Sequence, residues 1–133
     1  MQQMIGFSVR MKAEDMRDLA PTQVVSFDDV ISNAGGGYDS STGVFTAPAS
    51  GTYVFYLQTL NHNTRDGRIF LDIIKNGEFL SRVHAGWSPF ENGSTLSVTH
   101  LEKGDTVNVQ VSFGTAFWGG VFTTFSGFRV SSE

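Results

Sequence analysis

Cysteine is absent from this chain of 133 residues, which excludes disulfide frameworks, thiolate metal sites and cysteine nucleophiles together. The absence does not confine the protein to the inside of cells, because a β-domain of this size can be stable without cross-links. Proline is scarce, three residues against fifteen glycines, a balance that points to short strands joined by tight turns. Basic residues are few and scattered: nine Lys and Arg face thirteen Asp and Glu, for a formal charge of −4. Phosphate neutralisation needs clustered cations, so a nucleic-acid partner is not expected. No apolar run approaches the roughly 20 residues of a membrane helix, so membrane insertion is not expected either. The stretch from Met1 to Gly6 lacks a basic segment leading into an apolar one, and no signal peptide is read there. What the chain has in plenty is phenylalanine, twelve residues of it, within a composition that is 40% hydrophobic. That is the make-up of one domain with a real core, expected to span residues 1–133, and not of a disordered chain.

Strand signals recur at short intervals. Ile5, Phe7, Val9 and Met11 alternate with Gly6, Ser8 and Arg10, the period of two of a half-buried strand. Residues 12–21 are polar and acidic and read as a surface loop. Residues 23–27 and 30–33 are short strand candidates split by Asp28-Asp29, and Gly35-Gly36-Gly37 breaks the chain before Tyr38. A turn over residues 39–43 leads into Val44-Phe45-Thr46. The strongest strand covers residues 52–60, where both faces are substantially apolar, as expected for a strand that is central or lies against another subunit. Residues 68–75 and 78–84 flank Asn76-Gly77, whose readiness for positive φ predicts a type I′ hairpin. Residues 95–101 and 106–113 form the next pair, and residues 119–130 a long closing strand. Many short strands without an intervening helix imply a sandwich or a barrel.

The middle of the chain carries a sharper pattern. Phe27 is followed by five residues, Asn33, four residues, Tyr38, six residues, Phe45, five residues, and then Gly51, Tyr53 and Phe55 in a Gly-x-Tyr-x-Phe run. This spacing resembles the signature of the C1q domain, with Leu57 where a Phe or Tyr usually closes it. The flanks agree: Ile5-Gly6-Phe7-Ser8, Phe45-Thr46-Ala47-Pro48, Lys75-Asn76-Gly77, Leu101-Glu102-Lys103-Gly104-Asp105 and Phe125-Ser126-Gly127-Phe128 are all similar to family segments. The resemblance spans nearly the whole chain. It implies an all-β, ten-stranded jelly-roll sandwich, the fold shared with the tumour necrosis factor family, assembled as a secreted homotrimer. No collagen-like Gly-X-Y segment is present, so complement-type triggering is not implied. Members without that stalk, frequent among invertebrates, resemble soluble lectins. The function so implied is pattern recognition in innate immunity, with glycans or microbial surface polymers as partners. A trimeric signalling ligand for a cell-surface receptor and a trimerising matrix module are the alternatives. Taken by themselves, the signature residues are fold chemistry, large aromatics filling the space between two sheets about 10 Å apart.

Catalytic chemistry finds no footing. His62, His84 and His100 are paired by no motif with a nucleophile, and no G-x-S-x-G elbow, H-E-x-x-H or P-loop occurs, so no enzyme is read here. His100, within a predicted strand, reads as structural. No cofactor is expected. Calcium is the one ion the resemblance raises, because some family trimers bind it near their apex. The positions where a carboxylate is usual, around Ser112, Phe113 and Gly114, carry none, and calcium prefers several oxygen ligands including carboxylates. Calcium binding elsewhere, at Asp28-Asp29 or at Glu14, Asp15 and Asp18, is the alternative, although acidic loops of this kind usually read as solvated. Two loops are candidate recognition surfaces. One, residues 85–92, sets Trp87 and Phe90 beside Glu91 and Asn92, and the other carries Trp118 next to Phe117. Aromatic faces beside hydrogen-bonding groups suit sugar rings. Packing on the end of the sandwich, or at a subunit contact, is the structural alternative for each tryptophan. Asn92-Gly93-Ser94 is a glycosylation sequon if the chain is secreted, and otherwise reads as a turn.

Overall fold

The period-two segments become strands, and the Gly- and Asp-rich intervals between them become reversals. The computed structural model describes residues 3–62, 67–88 and 90–133; Pro89 of the first aromatic loop and the first two residues of the 1–6 stretch lie outside them. In chain order the strands are β1 (Gly6–Arg10), β2 (Asp15–Met16), β3 (Asp29–Ala34), β4 (Tyr38–Asp39), β5 (Val44–Thr46), β6 (Gly51–Asn61), β7 (Ile69–Lys75), β8 (Glu78–Ala85), β9 (Asn92–Leu101), β10 (Thr106–Phe113), β11 (Phe117–Trp118) and β12 (Thr124–Ser131). Among the described residues there is no helix. Two antiparallel sheets form. One runs β2-β11-β6-β12-β1-β3 with β9 on the other edge of β6, and the second runs β4-β5-β10-β7-β8. Set aside the two-residue ribbon β2·β11 and the strands are those of the ten-stranded jelly roll.

β6 is the axis of the first sheet, paired along one edge with β9 and along the other with β12 and then β11. Its alternation sends Tyr53, Phe55 and Leu57 into complete burial, facing Ile69, Leu71 and Ile73 of β7 and Val107, Val109 and Val111 of β10 in one core. Rings dominate its centre. Phe7 stands 4.9 Å from Phe45 in a tilted arrangement and 5.1 Å from Phe125 edge-on, and Phe55 is stacked on Phe125 at 6.1 Å, at centroid separations usual for aromatic pairs. At the hairpin, Asn76 and Gly77 have φ of 49° and 80°, as the type I′ turn requires.

The spaced pattern of Phe27 to Phe55 finds its physical reason in this core. Across the glycine bend, Asn33 Nδ2 donates to the Tyr38 carbonyl at 2.8 Å while Asn33 Oδ1 accepts from the Tyr38 N–H at 3.1 Å. The Phe27 N–H in turn donates to the Tyr38 hydroxyl at 2.9 Å. At Gly51 any Cβ would run into the Ser131 carbonyl oxygen, which belongs to the backbone of β12 and cannot move aside. Burial pushes the Tyr38 hydroxyl up to about 12, against the opposing pull of the Phe27 N–H. In the unfolded chain a tyrosine ionises near pH 10. The stability contributed by the buried neutral phenol is therefore full below that pH and lost as pH rises towards about 12. Denaturant titrations across this alkaline window should show wild type losing more stability than Tyr38→Phe, which starts lower because the Phe27 N–H has lost its acceptor. Parallel losses in the two proteins would rule out this role for Tyr38.

Four sequence expectations are corrected. The 12–21 loop contains β2, because Met16 and Asp15 pair with Phe117 and Trp118. Residues 23–27 pair with β10 only briefly, through the bridge of Val24 to Gln110 and the bonds Val25 N–H to Val109 O and Val111 N–H to Gln23 O, and the pairing ends where the Phe27 N–H turns to the Tyr38 hydroxyl. The closing strand starts at Thr124. Before it, Gly120 has φ of 56° and the N–H groups of Gly119 and Gly120 bond the carbonyls of Glu14 and Ala13, so that segment is a turn. Finally, Asn92-Gly93-Ser94 is not a turn but the start of β9, paired with Leu60, Thr59 and Gln58. The reversal falls just before it, at Phe90, whose φ is 59°.

Candidate functional site

Near one end of the first sheet the two aromatic loops converge. Trp118 on β11 is paired with Asp15 of β2 on one side and Leu60 of β6 on the other, and Leu60 is paired with Asn92 of β9. Partners in register project to the same face of a sheet, so Trp118, Leu60 and Asn92 stand side by side on the outer face. With Glu14, Phe90 and Phe122 they line an open pocket of about 600 Å³. Its walls are three aromatic rings and a leucine, and its polar side chains are Glu14 and Asn92.

Each wall is braced from behind. Trp118 stacks on the imidazole of His62 at 4.3 Å and 16°. His62 is buried, and its Nε2 lies 2.8 Å from Asp15 Oδ1. The Arg17 guanidinium, 2.9 Å away, holds the Asp15 carboxyl below the usual carboxylate range, slight desolvation opposes it, and His62 adds to the lowering. The Trp118 carbonyl accepts from Thr123 Oγ1 at 2.7 Å, and Thr123 is itself bonded to Thr59 in a buried pair. Among the described residues Trp118 Nε1 is buried without an acceptor. The loop carrying Phe90 is held by Asn61, the buried last residue of β6. Its Nδ2 donates to the carbonyls of Gly86 and Ser88 at 2.8 and 2.6 Å, and its Oδ1 accepts from the Glu91 N–H at 2.8 Å. Phe90 is left 63% exposed in a left-handed conformation that bulky residues rarely adopt.

Of the residues singled out in the sequence, Phe90, Asn92 and Trp118 are brought together; Trp87 and Glu91 are not. Trp87 is 70% exposed, with the Arg68 guanidinium 3.7 Å from its ring centre and 4.8 Å from that of Phe113. The Glu91 carboxylate lies against Gly86. Glu14, Leu60 and Phe122 line the pocket without having been singled out as ligand residues, and His62 and Asn61 brace it. Phe122 was hidden inside the misread closing strand. Asn61 and His62 left a faint signal, a polar pair ending the most apolar strand. His84 packs edge-on against Phe70 at 4.4 Å, and His100 is exposed beside Glu102 at 2.9 Å. Asp29 pairs with Arg10 and Asp28 accepts from the Lys12 N–H. Among the described residues no group of three or more His, Asp or Glu side chains is placed to hold a metal ion.

The same outer face has a second feature. Val54 lies between Val98 and Phe128, and Tyr56 between Leu96 and Ser126. Leu96, Val98 and Phe128 are 62%, 61% and 49% exposed. The polar row Ser94, Gln58 and Thr124 separates this apolar patch from the pocket.

The model of the C1q domain matches residues 6–130. The chain belongs to the C1q domain family. This C1q domain is 33% identical over 116 residues to the human "Complement C1q tumor necrosis factor-related protein 5", and 32% identical to the protein of that name from Rattus norvegicus. The match covers 80% of the chain and 46% of each relative, so the chain spans about half the length of the curated relatives it matches. Among solved structures, the globular domain of zebrafish complement 1qA superposes with a TM-score of 0.75 at 23% identity, over 95% of this chain and 97% of that one. The Eiger TNF of S. frugiperda gives 0.76 at 12% identity, over 99% and 96%; both likenesses show the fold. The aromatic signature residues of this C1q domain lie in its core, and none of the signature residues lines the pocket, so family membership and the pocket are separate observations.

Proposed function

We propose that the protein is an extracellular, multivalent binding protein of the pattern-recognition type, a homotrimer displaying one aromatic pocket per subunit to repetitive glycans or microbial surface polymers. The observation that carries the reading is the outer face of β9, β6 and β12, where the exposed apolar patch and the aromatic pocket lie on either side of a polar row. Contiguous exposed apolar patches mark association surfaces, so the patch supplies self-association. The pocket has the size and mixed lining of a small-ligand site. Three weak sites acting together raise avidity by about 10² or more on a repetitive surface.

The test is binding to mannose-rich, sialylated, lipopolysaccharide-bearing and amine-bearing (amino-sugar or choline-decorated) surfaces. Trp118→Ala should lower binding at least tenfold, about what removing one good stacking platform costs, with the oligomer intact, while Trp87→Ala leaves binding unchanged. Equal loss from both substitutions, or binding to none of these surfaces, would refute the reading. A second reading, a trimeric ligand for a protein receptor, is favoured by the cluster of Trp87, Arg68 and Phe113 at the ends of β8, β7 and β10, since Trp and Arg dominate protein-interface hot spots. It requires sugar-independent capture of a cell-surface protein that Trp87→Ala abolishes.

A further inference from the structure

The pocket's chemistry is narrower than that of a general sugar site, and we infer that it takes an alkylammonium group, such as a choline-type headgroup or a protonated amino sugar borne by a surface polymer. This rests on the proposal that the pocket is the ligand site. Three rings, Phe90, Trp118 and Phe122, line it together with one carboxylate, Glu14. Aromatic faces attract cations through their quadrupoles, and a cage of rings is the usual receptor for quaternary ammonium groups. Glu14 has its backbone carbonyl fixed by the Gly119 N–H. Its carboxylate, however, takes part in no hydrogen bond or ion pair among the described residues. Among the described residues no Lys or Arg lines the pocket, so none of them competes for that carboxylate.

The polar lining also argues against a neutral hexose as the preferred occupant. Glu14 and Asn92 would leave most ring hydroxyls of a buried sugar without partners, and each unmade hydrogen bond lowers affinity. An alkylammonium needs only a negative charge and π-faces. The backbone strain at Phe90 fits this role, because it holds a large ring out at the rim where a mobile ligand group can be enclosed. The remaining volume of the pocket, about 600 Å³ in all, leaves room for the sugar or glycerol unit to which such a group is attached.

The protein has two tryptophans, so a Trp87→Phe background leaves Trp118 as the sole indole reporter. Titrations follow its fluorescence and the heat of binding for four probes: choline, 3,3-dimethylbutan-1-ol (its uncharged isostere), glucosamine and N-acetylglucosamine. The expected result is saturable quenching by choline or glucosamine, with the matching uncharged probe at least about tenfold weaker. Glu14→Gln, a change at an exposed side chain, should weaken the charged probe by a similar factor while leaving the fold and the oligomer unchanged. Which of the two charged probes binds more tightly identifies the source, a headgroup or an amino sugar. If the uncharged partners bind as well and Glu14→Gln changes nothing, the ammonium inference fails while the glycan reading stands. If no probe perturbs Trp118 and no glycan surface is bound, both fail.

Discussion

A Leu96→Glu, Val98→Glu double variant should sediment at the 14.5 kDa of one chain, where the wild-type protein is expected to sediment as the proposed trimer. Both side chains lie more than 60% exposed on β9 in the isolated subunit, so the folded monomer loses little core contact on substitution. Exposed strand positions tolerate polar residues at a cost of up to about 1 kcal/mol. In an assembled interface the balance reverses. Two carboxylates per subunit would be placed against Val54, Tyr56 and Phe128 or their copies, and an unpaired buried charge costs several kcal/mol. That penalty is repeated at every contact. Circular dichroism should report an unchanged β-sheet, and binding to a repetitive surface should fall by about 10² as avidity disappears, while affinity for a monovalent ligand is retained. A wild-type protein that is monomeric, or a variant that keeps the wild-type mass, would overturn the assembly proposed for this face.

Phe55→Ala should destabilise the fold by about 3–5 kcal/mol, the range for removing a fully buried aromatic from a core. Phe55 is completely buried and lies within 6.3 Å, centre to centre, of Phe7, Phe45, Tyr53 and Phe125. These rings come from β1, β5, β6 and β12, strands that cannot collapse into the void without breaking their own ladders, so the cavity term is retained. Gly127 adds to the effect: a Cβ there would lie 2.6 Å from Phe55 and 2.7 Å from Phe7, so the sheet is packed against these rings with no slack. A total stability of about 5–15 kcal/mol is usual for a domain, and this one substitution removes a large part of it. Urea titration with an unchanged m-value and a lowered midpoint is the expected signature. A loss below about 1 kcal/mol would show that the ring cluster does not anchor the two sheets.

Strand existence was legible where one face is buried and the other is not. In β1 and β6, large side chains recur every second residue, and a slip by one would expose all of them. The spaced aromatics from Phe27 to Phe55 were legible for a related reason, since each occupies a place that only one size and one hydrogen-bonding pattern satisfies. The misread segments are those whose backbone partners are not neighbours in sequence. Gly119 and Gly120 looked like the start of a strand, but their N–H groups bond Ala13 and Glu14, far away along the chain. Asn92-Gly93-Ser94 has the composition of a turn and still enters β9, because Asn61 already holds the reversal one step earlier.

The pocket was half legible for the same reason. Phe90, Asn92 and Trp118 drew notice as aromatic and polar groups in loops, yet nothing in their order shows that they meet while Trp87, three residues from Phe90, does not. Glu14 and Phe122 are separated by more than a hundred residues and were read as a solvated acid and a strand residue.

The amino-acid sequence by itself determined a cysteine-free all-β domain of the C1q family, because periodicity, turn chemistry and a spaced set of core aromatics are local properties of the chain. Only the tertiary structure decided which loop residues share a pocket, that one sheet face divides into an apolar patch and an aromatic site, and that Glu14, whose carboxylate has no partner among the described residues, lines that site with three rings. Those are relations between β2, β6, β9 and β11, set by strand register across the sheet, and register between distant strands follows from how the whole core packs.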